Sequence, residues 1–333
     1  MKILGIETSC DETAVALVDD GERVVGERVA SQIALHAPYG GVVPEIASRR
    51  HLETLFSLLS ELDLKTIGPS VDGIAVTHRP GLIGSLLVGL SAAKGLALAW
   101  RRPLVGVDHI HAHAYSTIMG HADARLPAAT LVASGGHTSL FLMRSPLELE
   151  LVGETVDDAA GEAFDKVSSL LGLGYPGGPP IDRIAREGNP RAHRFPRGTV
   201  KRAPYDFSFS GLKTAVLYHL RGQDGKRSPR ALTTEETADV AASFQEAVVD
   251  SLLHRLTRLA RETDAKSLGI GGGVACNSRL RWRAQEEADK IGLPLYLSPR
   301  ELSTDNAVMI AGLGYHLLND RGADSLDIDA RAH

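Results

Sequence analysis

Three histidines alternate in HIHAH, at positions 109, 111 and 113. On a helix, side chains four apart share one face, so His109 and His113 point together while His111 looks elsewhere. Two imidazoles one turn apart suit zinc, iron or another borderline divalent ion. The same spacing fits a helix start that carries partly buried, hydrogen-bonded histidines. The local pattern does not choose between these readings.

Four more stretches hold residues suited to anion or proton chemistry. TSCDET carries Thr8, Ser9, Asp11 and Glu12, and SGGHTS carries Ser134, Gly135, Gly136, His137 and Thr138. Each joins two strand-like runs, where glycine lets backbone N–H groups approach an anion, although Gly-Gly is also an ordinary hairpin turn. GIGGGVACNSRL leaves room beside Gly271, Gly272 and Gly273 for a flat group or a sugar, with Asn277 placed to bond a ribose or base edge. It is neither a Walker loop nor GxGxxG. In GEAFDKVSSLLGLGYPGGPPIDRIA, Asp165 and Asp182 bracket a turn containing Gly177 and Gly178; a solvated loop between capping acids reads equally well.

Composition narrows the classes. The chain has 333 residues, which suggests two domains, with 43% hydrophobic and 23% charged residues of ordinary globular kind. Aromatics at 5% are too sparse for base-stacking platforms, and two cysteines, Cys10 and Cys276, indicate neither a disulfide framework nor a thiolate zinc site. Net charge of −5 excludes a uniformly basic surface, yet Arg183, Arg186, Arg191, Arg194, Arg197, Lys201 and Arg202 face a single nearby acid, Glu187. That run fits contact with an RNA backbone or a solvated loop. MKILGIETSC lacks the apolar run of a signal peptide, so the expected location is cytoplasmic. Residues 81–100 carry one charge, Lys94, and are long enough for a membrane span, but their many small residues favour a buried or partner-facing helix.

Periodicity supplies the elements that would hold these groups. KILGIET, TAVALVD and RVVGERVA read as strands. A helix from Pro44 follows, with Leu52, Leu55, Phe56, Leu59 and Leu62 at helical spacing. Then come strand GIAVT, the small-residue helix, strand PLVGV and the histidine helix. The order restarts with ATLVAS, TSLFLM and LELELVGE, a helix over Ala159 to Leu171, one near Ala238 to Arg261, strand SLGIGG, a helix after Asn277, strand PLYLS and a helix from Thr304. Both halves read βββαβαβα, the plan of a ribonuclease-H-like domain. Residues 172–230, rich in Gly, Pro and Arg, fit an insertion.

Taken together, ETSCDET, HIHAHAYS, SGGHTSL, GEAFDKV, GYPGGPPIDRIA, FSFSGLKTAV, GGGVACNSRLR and STDNAVMIA resemble the tRNA adenosine threonylcarbamoyltransferase family, in order from Lys2 to about Gly314. The resemblance implies an α/β fold of two ribonuclease-H-like domains (actin, Hsp70 and sugar-kinase kind) facing a central cleft. The expected division is 1–108 with about 315–333, and 109–314. It implies transfer of a threonylcarbamoyl group from its adenylate to N6 of the adenosine 3′ of the anticodon, in tRNAs reading codons that begin with A. It implies one divalent metal per subunit on His109, His113 and Asp305, iron ahead of zinc or magnesium. The nucleotide ligand, threonylcarbamoyl-adenylate or ATP, would lie on Val132, Ala133, Ser134, Gly135, Gly136, Asp165, Gly178, Asp182 and Asn277. Archaeal and eukaryotic relatives have an extra tyrosine ligand where this chain has Val132, a bacterial feature. Implied partners are tRNA, the inactive paralogous subunit TsaB, with which the 81–100 helix would pair, and the ATPase subunit TsaE; no membrane is implied.

Two imidazoles and a carboxylate leave coordination positions open, as a Lewis-acid metal requires. By position, Asp11 and Glu12 are candidates for proton handling. A metallopeptidase is the first alternative, but HExxH keeps a glutamate where this chain has Ile110. A small-molecule kinase of the same fold would have no use for the histidine pair. An inactive scaffold of that fold would be expected to lack HIHAH and STDNA.

Overall fold

KILGIE and ETAVALVD are buried along nearly their whole length rather than on alternate residues, the pattern of strands covered on both faces. They form β1 (Lys2–Glu7) and β2 (Glu12–Asp19) at the centre of a sheet ordered β3-β2-β1-β4-β5. The computed structural model describes residues 1–62, 68–222 and 232–333. Short turns make β1, β2 and β3 (Arg23–Ser31) antiparallel, whereas β4 (Gly73–Arg79) and β5 (Leu104–Asp108) run parallel to β1. Parallel neighbours need crossovers. After a short α1 (Ile33–His36), these are α2 (Pro44–Glu61) and α3 (Ile83–Trp100).

The second sheet repeats the plan in the order β10-β9-β6-β7-β8. β6 (Ala128–Ala133) pairs antiparallel with β7 (Thr138–Met143) and parallel with β9 (Ser267–Gly271). β8 (Leu149–Glu154) and β10 (Leu295–Leu297) form its edges. Each sheet therefore has the expected βββ run followed by two parallel strands.

Two compact units result: 1–123 with 145–148 and 301–333, and 124–144 with 149–300. These limits differ from the expected ones. The histidine helix α4 (His109–Tyr115) and residues 301–314 belong to the first unit, because the last helix, α11 (Ala307–Arg321), packs on β1 and β4. Gly5 permits that approach: a Cβ there would collide with the Ala307 carbonyl. In the second unit, Phe164, Phe207, Phe209 and Phe244 anchor a core around α8 (Thr234–Glu262), which starts four residues before the expected Ala238. The reason is a capping box, in which Thr233 accepts from Glu236 N and the Glu236 side chain accepts from Thr233 N. The insertion contains α6 (Gly178–Ile184) and α7 (Ser210–Arg221); its residues 223–230 lie outside those described.

The helix from Pro44 differs from its expectation. Leu55, Leu58 and Leu59 are buried, but Leu52 and Phe56 are 63% and 61% exposed. They lie with Leu87, Val88 and Leu96 of α3 along an apolar groove of about 510 Å³. α3 alone among the described helices is long and apolar enough to cross a membrane; one third of it is buried in the unit.

Candidate metal and nucleotide sites

β5 ends at Asp108, whose carboxylate accepts from Ile110 N and His111 N at 3.0 and 3.1 Å. That cap starts α4 at His109 and fixes which residues face inward. His109 and His113 are 4% and 0% exposed, with ring centroids 4.7 Å apart and planes at 87°. Both Nε2 atoms reach one oxygen, Asp305 Oδ1, at 3.4 Å from His109 and 3.1 Å from His113. Asp305 comes from the turn between α10 (Arg300–Ser303) and α11. It does not cap that helix; Asn306 does, accepting from Met309 N at 2.9 Å.

Glu7, fully buried at the end of β1, lies beneath His109 with Oε2 3.0 Å from Nδ1. Carboxylates only accept, so Nδ1 carries a proton; by the same rule Nε2 donates to Asp305 here, and a cation held by this group would take that second proton's place. Ser9 N and Thr77 Oγ1 donate to the same carboxylate. Burial alone would raise the Glu7 carboxyl, but the His109 charge and hydrogen bond, with Thr77, hold it below its ordinary value. Burial likewise opposes ionisation of Asp305, and the two histidines hold it well below the carboxylate range. His109 is pushed up: burial lowers it, but Asp305 and Glu7 prevail. His113 is lowered, chiefly by burial.

The donor atoms of His109, His113 and Asp305 lie within 4.8 Å of one another. Two imidazoles and a carboxylate so placed, one imidazole with its Nδ1 proton held by Glu7, fit a borderline divalent ion. His111 is outside this group and lines a separate cavity of about 250 Å³ with Asp108, His78 and Arg79.

The Cys10–Glu12 turn is held from below by His51, which sequence reasoning passed over. Its Nε2 donates to the Cys10 carbonyl at 2.9 Å, so Nδ1 accepts from Thr13 Oγ1 at 2.8 Å. Glu12 is bonded by Ser31 Oγ at 3.0 Å. Burial, then the Asp11 and Asp305 charges, push its carboxyl well above the ordinary value. Asp11 accepts from Gln32 N through its backbone carbonyl. Neither Glu7 nor His51 stood out in the sequence: Glu7 closes an apolar run before Thr8 and Ser9, and His51 lies among Arg49, Arg50 and Glu53.

In the second unit, Val132 and Ala133 are buried within β6, and Ser134 closes the turn to β7 by accepting from His137 N at 3.2 Å through Oγ. Its carbonyl accepts from Gly161 N at 3.1 Å, which sets α5 (Ala160–Leu170) against the turn. Asp165 accepts from Gly177 N at 2.6 Å. Asp182 accepts from Ser278 N and Oγ at 3.2 and 2.8 Å, joining α6 to the start of α9 (Ser278–Ile291). Asn277 caps α9 by accepting from Leu280 N and donates to Gln245 Oε1 at 2.7 Å, which leaves one N–H and one lone pair.

The glycines here fall into two sets. A Cβ on Gly161, Gly177 or Gly272 would strike backbone at 2.4–2.5 Å, and Gly272 has φ +83°. Those glycines serve the fold. A Cβ on Gly135, Gly136, Gly178 or Gly273 would meet nothing within 4 Å, and none of the four has positive φ. Neither packing nor backbone requires glycine at these four positions, which is what close approach of a ligand would leave.

A family model described as TsaD, tRNA N6-adenosine threonylcarbamoyltransferase, matches residues 23–312. Proteins of that description from Thermotoga neapolitana and Fervidobacterium nodosum are 49% and 48% identical, over 95% and 99% of this chain and 94% and 97% of their own. Among solved structures, full-length HypF in its phosphate- and nucleotide-bound form covers 97% of this chain and 47% of its own at TM-score 0.63. Component A of (R)-2-hydroxyglutaryl-CoA dehydratase from Acidaminococcus fermentans covers 96% and 100% at TM-score 0.53. Both are 14% identical, so they speak to fold alone.

Proposed function

This chain belongs to the tRNA N6-adenosine threonylcarbamoyltransferase family, and from that premise we propose that it transfers the threonylcarbamoyl group of threonylcarbamoyl-adenylate to N6 of the adenosine 3′ of the anticodon, in tRNAs reading codons that begin with A. The chain is a transferase of tRNA threonylcarbamoylation; the donor and the tRNA set are the proposed part. One observation carries the reading: His109, His113 and Asp305 converge through donor atoms within 4.8 Å.

In the reaction, the N6 amine attacks the carbamoyl carbon, a C–N bond forms, AMP departs with the former C–O bonding pair, and N6 gives up one proton. The adenylate is a good leaving group, so the protein mainly positions the reactants and stabilises developing charge. His109, His113 and Asp305 would hold a divalent ion, iron ahead of zinc or magnesium, which when bound supplies Lewis acidity towards the carbamoyl oxygen. Glu7 keeps His109 in the tautomer that such binding needs. Glu12, with a carboxyl pushed up by burial and by the neighbouring acids, is the better placed proton acceptor; Asp11 is its neighbour in the same turn.

The open glycines at 135, 136 and 178, with Val132, Ala133, Ser134, Asp165, Asp182 and Asn277, would cradle the nucleotide. The exposed arginines Arg194 and Arg202 would touch tRNA phosphate, whereas Arg197 is engaged by Asp250 at 2.9–3.1 Å. The groove between α2 and α3 would seat TsaB, with TsaE joining that pair, in the cytoplasm. The test is nucleoside mass spectrometry of tRNA incubated with the chain, TsaB, TsaE and threonylcarbamoyl-adenylate. Threonylcarbamoyladenosine should form with wild type and not with His113→Ala. Equal product from both would refute the assignment.

A further inference from the structure

α8 presents Asp250, His254, Arg258 and Arg261 at intervals of four and three, and so on one face. Across from that face run residues 197–204, and the two enclose a cavity of about 640 Å³. Its wall includes Arg197, Arg255, Arg258, Arg261 and Arg283, and its only acids are Asp250 and Glu287. Three of these arginines are already neutralised: Arg197 and Arg283 by Asp250, and Arg258 by Glu262.

The other two are not. Arg255 is 5% exposed, and its guanidinium donates only to backbone carbonyls, those of Asp206, Ser251 and Gly198. Among the described residues no carboxylate forms an ion pair with it, and only the Asp206 charge acts on it from farther away. A buried cation bonded but not neutralised leaves positive potential in the cavity beside it. Arg261, at the cavity rim, is exposed and has no partner among the described residues.

A second cavity of about 590 Å³, lined by Pro190 to Arg197 with Arg191 and Arg194, shares Arg197 with the first. Lys201 and Arg202, both exposed, lie on the segment that walls the first cavity. Cationic positions spread along a strip suit a polyanion with repeated phosphates better than one small anion. Guanidinium forks match phosphate geometry. The walls of the larger cavity hold no aromatic ring apart from His254, so they offer little stacking for bases.

We propose that this cavity, through Arg255 at its base and Arg261 at its rim, seats sugar–phosphate backbone of the tRNA substrate, independently of its sequence. The proposal rests on the tRNA reading above and adds a site away from the glycine turns. Arg255 also ties three loop carbonyls, so replacing it risks the fold; Arg261 carries the test instead.

The experiment is fluorescence anisotropy of labelled, unmodified tRNA with the full chain across a salt series. Arg261→Glu should weaken binding about tenfold at low salt and reduce the slope of log K on log salt by about one. The loss should be equal for tRNAs that are substrates and tRNAs that are not. Arg23→Glu, the same charge change on the first unit's β3, should leave both quantities unchanged. Wild-type affinity and slope in folded Arg261→Glu overturn the pocket assignment alone. Loss of subunit binding in that variant, with tRNA binding intact, reassigns the strip to an acidic protein surface. Failure of wild type itself to bind tRNA in a salt-dependent way overturns this proposal together with the tRNA reading beneath it.

Discussion

Glu7 shows what a single residue contributes to the candidate metal group without touching the ion. Its Oε2 fixes the Nδ1 proton of His109, and both carboxylate oxygens are committed to donors. Glu7→Gln places an amide where only acceptors serve, so metal affinity should drop about 10- to 100-fold in a calorimetric titration with the fold retained. His109→Ala, His113→Ala and Asp305→Asn should lose the metal outright, whereas His111→Ala should keep it by elemental analysis. A metal content in Asp305→Asn equal to wild type would return Asp305 to a structural role. Glu12 makes a different prediction, for the metal-free protein. Its folded carboxyl is raised, so the folded chain keeps a proton that the unfolded chain releases near its ordinary value of 4.5. The stability this contributes is complete below that value and disappears as pH rises through the raised one. Melting curves in chelator should therefore show Glu12→Gln gaining on wild type from about pH 4.5 towards neutral. A constant difference would mean that Glu12 ionises normally. The sequence displayed His109 and His113 through their spacing. It could not display Glu7, because that pairing spans 102 positions and exists only once β1 and α4 are neighbours.

At the scale of elements, strands were the easiest to read. Runs such as AATLVA and TSLFLM are mostly apolar because both faces are covered, and they form β6 and β7, buried at every position. Helix limits were harder, since they depend on caps. The last helix starts at Ala307 rather than Thr304 because Asn306 closes its first turn, and α8 starts early because Thr233 does the same. Glycine-rich turns were visible, but their two kinds were not, since only contacts separate a glycine that packs from one that leaves space. The difference is testable. Gly272→Ala meets a positive φ and the Ala133 carbonyl at 2.5 Å, so it should cost about 2 kcal/mol or more and be visible by denaturant titration. Gly136→Ala should melt like wild type and bind an adenylate analogue more weakly. If the Gly136 variant binds normally, that turn is a hairpin and nothing more.

For the molecule as a whole, the repeated strand plan was legible, and the return of the last residues to the first unit was expected only through the family resemblance. A helix more than two hundred residues from the first strand returns to pack on it, and no local pattern announces such a return. Partner surfaces have the same character. The sequence showed α3 as small and apolar on several faces, without saying which face the fold uses. Ser85 faces inward, fully buried with its carbonyl accepting from Thr8, whereas Gly84 is exposed and a Cβ there would meet only the Ser48 side chain, at 2.5 Å from Oγ. Leucine at Ser85 should therefore damage the first unit itself. The face left open is Leu52 and Phe56 of α2 with Leu87 of α3, exposed by 63%, 61% and 42%. Leaving large apolar side chains in water on one contiguous groove suggests a protein partner. Phe56→Glu and Leu87→Glu add charge there without burying it, so both variants should melt within a few degrees of wild type. Both should lose co-elution with TsaB in gel filtration while Arg261→Glu keeps it. Folded variants that still pair would leave the groove without a partner and place TsaB on another face of the chain.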